Sequence, residues 1–203
     1  GWKLGLGSVN AMKGAGLTRP VVGRVLQGRL YKEGDAVPVP VGLEALVEIE
    51  IAFTLARDVT PADTLANPLE AVADTHIACE LVLSRYIDRT KVGLPSFVAD
   101  SVGFHALVVG QKLDVKTIET VARTAVVHVD GREVVGCQTG GDTIDAVWSL
   151  GQLMAHARER GLTLRKGEIV TTGTITRPFT APTSSSLMVT ATGAGLRFSL
   201  KAG

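Results

Sequence analysis

The sequence predicts an α+β fold in which sheet outweighs helix. Three observations carry that reading. Twenty-three glycines punctuate the 203 residues. Short runs of β-branched and other apolar residues recur between them. The best helical periodicity is confined to one segment, Thr143 to Arg160. In order along the chain, Trp2 to Leu6 reads as a strand. Leu26 to Leu30 and Ala36 to Val41 read as short strands joined through the turn Lys32-Glu33-Gly34-Asp35. Leu46 to Leu55 is a longer, almost wholly apolar strand. Thr60-Pro61 opens a helix with Pro at its first position, and Asn67-Pro68 repeats the signal for a short helix through Leu69, Val72 and Ala73. Ile77 to Leu83 is the next strand.

Ser84 to Ser101, which holds Gly93 and Pro95, reads as a long charged loop of the kind that is functional or mobile. Phe104 to Val109 is an apolar strand. Thr124 to Val129 and Glu133 to Cys137 pair as a hairpin around Asp130-Gly131, a two-residue type I′ signal. The helix from Thr143 to Arg160 gathers Ile144, Val147, Trp148, Leu150, Gly151, Met154 and Ala155 on one face. Asp142 or Thr143 caps it and Gly161 ends it. Ile169 to Thr172, Leu187 to Thr192 and Leu196 to Leu200 complete the strands. Neither repeats nor low-complexity tracts appear, so residues 1–203 read as a single domain.

Composition narrows the function classes. An apolar content of 45% indicates an ordered globular chain with a sizeable core. Net charge is +1 and aromatics are 4%, with no basic stripe, which argues against nucleic acid as a partner. No apolar run approaches a membrane span, so no membrane association is expected. Cys79 and Cys137 lie in apolar runs and read as buried thiols of a reducing compartment, with the cytoplasm as the expected location. The four histidines have no ligand-like spacing and read as structural.

The candidate chemistry sits in Val47-Glu48-Ile49-Glu50-Ile51. Side chains alternate along a strand, so Glu48 and Glu50 share one face while Val47, Ile49 and Ile51 share the other. Such a pair can be the wet face of an antiparallel sheet. Glutamate is a poor strand former, however, and no lysine stands on that face to neutralise the pair. Glu80, in a second apolar strand, offers a third carboxylate. Hard oxygen donors of this kind suit Mg²⁺, Mn²⁺ or Ca²⁺, and around Mg²⁺ three of them leave about three coordination positions open, enough for a 2-oxo acid that chelates through carboxylate and keto oxygens. Three carboxylates and a dication still carry one negative charge, so an acidic substrate calls for a further cation, and Lys3 is the candidate. Thr172-Gly173-Thr174 ends another apolar run, where glycine admits a close approach and a threonine hydroxyl can meet a ligand carboxylate.

These segments resemble a known family. Gly1-Trp2-Lys3-Leu4-Gly5-Leu6-Gly7-Ser8 is similar to a G-x-K-[IL]-G-L-T-S segment, and Val47 to Phe53 to a V-E-x-E-I-A-F segment. Cys79-Glu80-Leu81-Val82-Leu83-Ser84-Arg85 resembles L-E-[IV]-[IV]-D-S-R, and Val98-Ala99-Asp100 resembles V-A-D-N. Gly161 to Thr174 resembles a late G-x-x-L-x-x-G-D-[VI]-[VI]-x-T-G-[ST] segment. All belong to the 2-keto-4-pentenoate hydratase / 4-oxalocrotonate decarboxylase group of the fumarylacetoacetate hydrolase superfamily.

The resemblance implies a mixed, sheet-rich β-roll with a few helices. It implies Mg²⁺ or Mn²⁺ held by Glu48, Glu50 and Glu80, Lys3 as active-site base or acid, and Thr174 near the substrate. The family's helical N-terminal segment is absent from this sequence. The implied activity is that of a lyase in aromatic-compound catabolism, decarboxylating an unsaturated 2-oxo dicarboxylic acid through a metal-stabilised dienolate. Val21, in Pro20-Val21-Val22-Gly23, favours decarboxylation, because hydratases of the group carry an acidic residue there. Ser84-Arg85-Tyr86 and Leu94-Pro95 lean the same way. The alternatives are the hydratase, a C–C hydrolase of acylpyruvate type, and a degenerate partner subunit. Leu83, Ser101, Gly103-Phe104-His105 and Asp145 depart from the group's pattern. A homo-oligomer, or a complex with a homologous hydratase or decarboxylase, is the expected assembly.

Overall fold

A computed structural model describes residues Gly1–Gly203. In chain order its elements are β1 (Trp2–Gly5), α1 (Val9–Ala15), β2 (Val21–Arg24), β3 (Leu30–Lys32), β4 (Ala36–Val39), β5 (Ala45–Leu55), β6 (Val72–Val82), α2 (Gly93–Ala99), β7 (Phe104–Leu113), α3 (Ile118–Thr124), β8 (Val126–Val129), β9 (Arg132–Gly136), α4 (Ala146–Glu159), β10 (Ile169–Thr174), β11 (Phe179–Ala181), β12 (Ser186–Ala191) and β13 (Ala194–Ala202). An eight-stranded mixed sheet runs β2-β1-β10-β5-β6-β7-β3, with β11 paired to β5 as well. A five-stranded sheet runs β4-β13-β12-β8-β9. The α+β, sheet-rich expectation holds.

The long antiparallel pair β5–β6 is the spine. Val47, Ile49, Ile51, Cys79 and Leu81 project from one face into the main core, together with Leu187, Leu196 and Phe198 of the smaller sheet. The reverse face is lined near the spine by Ala52, Ala78, Leu107 and Phe104. Both faces of these strands are therefore covered, which is why residues 45–53 of β5 and 77–82 of β6 are apolar apart from Glu48, Glu50 and Glu80.

Several boundaries differ from the sequence-based expectation, each for a local reason. No helix starts at Thr60-Pro61. Asp63 accepts from both the backbone N–H and the hydroxyl of Thr60, at 2.7 and 2.6 Å, and this closed turn competes with helix. The Asn67-Pro68 signal yields one 3₁₀ turn, Pro68–Ala71, and β6 takes over at Val72. Leu30–Lys32 and Ala36–Val39 do not form a hairpin: β3 joins the large sheet through β7, and β4 joins the small one through β13. The Lys32–Asp35 turn thus carries the chain between sheets. The stretch 84–101 is not irregular, because it contains α2 and a 3₁₀ turn, Arg89–Lys91, capped by Asp88. α1 and α3, each of seven residues, fall below the length at which periodicity is legible.

The main helix, α4, begins at Ala146 because Asp145, rather than Asp142 or Thr143, accepts from the Trp148 N–H at 2.9 Å. Its buried stripe is Ala146, Leu150, Leu153, Met154 and Ala157, and Trp148 faces outward. The Asp130-Gly131 turn is as expected, with φ of 49° and 79°. Cys79 is a buried free thiol, whereas Cys137 is only half-buried and lies outside the strands.

Gly23 is a tight point of the fold. A Cβ there would lie 2.7 Å from the Ser101 carbonyl oxygen and 3.0 Å from Cγ of Lys3. Gly28 faces open space. Gly23→Ala is therefore expected to destabilise the protein by roughly 1–3 kcal/mol, while Gly28→Ala stays within about 0.5 kcal/mol of wild type. Urea unfolding measures both, and equal effects would contradict the packing described.

Candidate metal centre

Strand register builds the site. Glu48 of β5 pairs directly with Glu80 of β6, and Glu50 pairs with Ala78, so all three carboxylates share one face of the sheet. One oxygen from each of the three lies within 4.8 Å of the others. Glu50 and Glu80 are fully buried, and Glu48 is half-buried at the edge of a cavity of about 490 Å³. Lys3 reaches the group from β1, buried to 2% exposure, and its Nζ donates to Oε1 of Glu80. A second Nζ proton goes to the Val102 carbonyl at 3.3 Å. An ammonium has three donors, so one remains for the cavity that Lys3 lines.

The supports are unusual backbone. β10 bulges between Thr171 and Thr174, and Gly173 there has φ of 101°. Its N–H donates to Oε2 of Glu50 at 2.7 Å. That conformation suits only glycine, so the bulge and the donor come as one device. Ser101, Val102 and Gly103 all sit at positive φ, 51°, 57° and 75°. This left-handed turn, costly for a β-branched valine, delivers the Val102 carbonyl to Lys3.

Burial pushes Glu80 up to about 7, against the pull of Lys3 and with added repulsion from Glu48. Burial, then the charges of Glu80 and Glu48, hold Glu50 well above the carboxylate range. Glu48 is raised too, by burial, opposed by Lys3 and Arg89. Burial on its own would lower Lys3, but Glu80, Glu48 and Glu50 outweigh it and raise the lysine. Oε1 of Glu50 and Oε2 of Glu80 are buried without any hydrogen-bond partner. Two orphaned carboxylate oxygens beside a third carboxylate fit a hard dication, which would satisfy those oxygens and offset much of the repulsion.

Thr174 borders the cavity, but its hydroxyl proton is engaged by the carbonyls of Thr176 at 2.8 Å and Ile49 at 3.3 Å. It walls the site without an idle side-chain donor. All four histidines lie outside the cavity wall. His105 is held by the Pro38 carbonyl. Sequence reasoning missed Arg89, Phe97, Gln138 and Ile144 on the wall. The charged 84–101 stretch was the signal for the first two, since a long excursion with its own helical turns is where cavity walls are built. Gln138 and Ile144 carry no local signature. Both feet of that excursion are tied. Ser84 and Arg85 bond the buried Asp100 carboxylate, and Arg85 also bonds the Phe104 carbonyl.

A carboxyl group whose folded pKa is raised loses stability as pH climbs from its unfolded value through the folded one, because only the unfolded chain ionises freely. In chelator, Glu50→Gln keeps the acceptor for Gly173 and removes the charge. Its melting temperature relative to wild type is expected to rise as pH climbs from the ordinary carboxylate range through neutrality, because the raised Glu50 destabilises only the wild type there. Thermal unfolding measures this, and a flat difference would show that the triad carries no such strain.

A family profile described as fumarylacetoacetate (FAA) hydrolase C-terminal matches residues 17–196. The chain is 30% identical over 181 residues to a 2-keto-4-pentenoate hydratase of Burkholderia vietnamiensis (strain G4 / LMG 22486), covering 86% of this chain and 67% of the relative. It is 30% identical over 187 residues to a 4-oxalocrotonate decarboxylase of Pseudomonas sp, covering 87% and 68%. The chain thus spans about two thirds of the length of these relatives. Among solved structures, the fold is similar to 4-oxalocrotonate decarboxylase from Pseudomonas putida G7 complexed with magnesium and adipate. That match has a TM-score of 0.82 at 22% identity and covers 98% of this chain and 77% of that one. On the profile match and these relatives, the chain belongs to the fumarylacetoacetate hydrolase family.

Proposed function

We propose that the chain is a divalent-metal-dependent lyase that decarboxylates an unsaturated 2-oxo dicarboxylic acid. The observation that carries this reading is the buried triad with two unpartnered oxygens, set against Lys3 and opening on a cavity of substrate size. Glu48, Glu50 and Glu80 would hold Mg²⁺ or Mn²⁺, which when bound supplies Lewis-acid stabilisation of negative charge on a substrate's keto oxygen. The remaining chemistry belongs to the chain. Lys3, kept cationic by the carboxylates around it, holds its idle N–H toward the 2-oxo end as a donor. Leu94, Phe97 and Val102 also line the cavity and offer apolar surface to the carbon chain. Loss of CO₂ breaks the bond to the far carboxylate, and its electron pair delocalises toward the 2-oxo oxygen, where positive groups are gathered.

The cavity wall supports decarboxylation over its rivals. Its titratable groups are Lys3, Glu48, Arg89 and Asp142. Val21, on the same sheet face as Lys3, is buried and offers no proton-handling group. With no histidine on the wall, there is no His-carboxylate pair to activate water for a C–C hydrolase. A degenerate subunit would have little reason to keep three glutamates assembled beside a buried lysine. The hydratase is the second reading, favoured by the similarity to a named hydratase.

Glu48→Gln is the test, since this half-buried residue tolerates the change more readily than Glu50 or Glu80. It is expected to keep its fold and lose turnover on the order of a hundredfold or more. Unchanged turnover would end the metal-centre reading. Product analysis separates the two activities, with CO₂ release supporting the decarboxylase and a 4-hydroxy-2-oxo acid the hydratase.

A further inference from the structure

Arg89 is a cation of the cavity wall that the reaction above leaves unused. Three cations lie close together in this stretch, and two are committed. Arg85 is bound to Asp100 and the Phe104 carbonyl, and Lys91 pairs with Asp88 at 3.3 Å. Arg89 lines the cavity, and its guanidinium carbon lies 5.6 Å from the centroid of the Phe97 ring. It has no hydrogen-bond or ion-pair partner within the chain, so its donors are open to a ligand. The 3₁₀ turn that carries it is capped, because Asp88 accepts from the Thr90 N–H at 3.0 Å. The side chain is thus presented from a tied segment across an aromatic face.

Charge says what it would meet. Three carboxylates, one ammonium and a dication leave the centre with no net positive charge. A doubly negative substrate therefore finds no excess cation there, and Asp142 on the wall adds to the deficit. We propose that Arg89 is the specificity residue of this cavity: its guanidinium receives the far carboxylate of a 2-oxo dicarboxylic acid and makes the chain prefer such acids to monocarboxylic ones. This rests on reading the cavity as a 2-oxo acid site. The exposed position of Arg89 keeps the contact screened by water. The contact therefore recognises the carboxylate without holding it so firmly that its charge cannot leave.

The experiment is calorimetric binding of two saturated, unreactive probes, 2-oxoadipate and 2-oxohexanoate, to Mg²⁺-loaded protein. Wild type is expected to bind 2-oxoadipate roughly five- to tenfold more tightly. Arg89→Met and Arg89→Gln should each abolish that preference and leave 2-oxohexanoate affinity as it was. A preference that survives both substitutions would overturn the proposal, and so would equal binding of the two probes by wild type. Either result leaves the 2-oxo acid site standing, because 2-oxohexanoate would still bind. If neither probe binds, the reading of the cavity falls and the role of Arg89 falls with it.

Discussion

Glu48 and Glu80 face each other across the β5–β6 ladder, and Glu50 joins them two residues along. Like charges directly opposite in a sheet are unfavourable, and burial makes them more so. The surrounding structure answers this one constraint. Lys3 supplies one positive charge from β1, and the Gly173 N–H supplies a donor to Glu50. These are not enough: Glu50 and Glu80 stay raised, and each keeps an oxygen with no partner. The residual deficit of positive charge is what marks the cluster as a candidate metal site.

Placing Lys3 demands much of the chain around it. Nζ must lie between a carboxylate and the Val102 carbonyl, and that carbonyl is available because three successive residues adopt left-handed backbone. β2 must pass close enough that Gly23 has no room for a side chain. Strain and close packing are stored here, at the cavity floor, while ordinary packing of α4 and the smaller sheet stabilises the opposite face. The Arg85–Asp100 tie lets the 84–101 excursion form the cavity's outer wall without belonging to either sheet.

The centre was legible in the sequence because strand alternation is a strict rule. Two glutamates one residue apart must share a face, and a third in a neighbouring apolar run could meet them. Lys3 and the Gly173 segment were legible mainly through family resemblance, since a single lysine in an apolar strand has no pattern of its own. What could not be read depended on tertiary context. The Asp63 turn displaced a helix signalled by Thr60-Pro61, and the Lys32–Asp35 turn crosses between sheets instead of closing a hairpin. Arg89 and Phe97 lie in a stretch that reads as functional or mobile, yet only the fold shows which of its charges lines the cavity. Thr174 was expected to offer its hydroxyl, and the β10 bulge turns that proton toward backbone carbonyls.

The central claim is that the three carboxylates are an incomplete set awaiting a dication. Titration calorimetry of Mn²⁺ into chelator-stripped protein, run beside Glu50→Gln, tests it most directly. Saturable binding of one ion per chain, with proton release because raised carboxyl groups must ionise, is the predicted result, and the variant should lose it. No binding heat, or binding that Glu50→Gln leaves untouched, would mean that the cluster is held together by Lys3 and shared protons alone, and that the chemistry lies elsewhere.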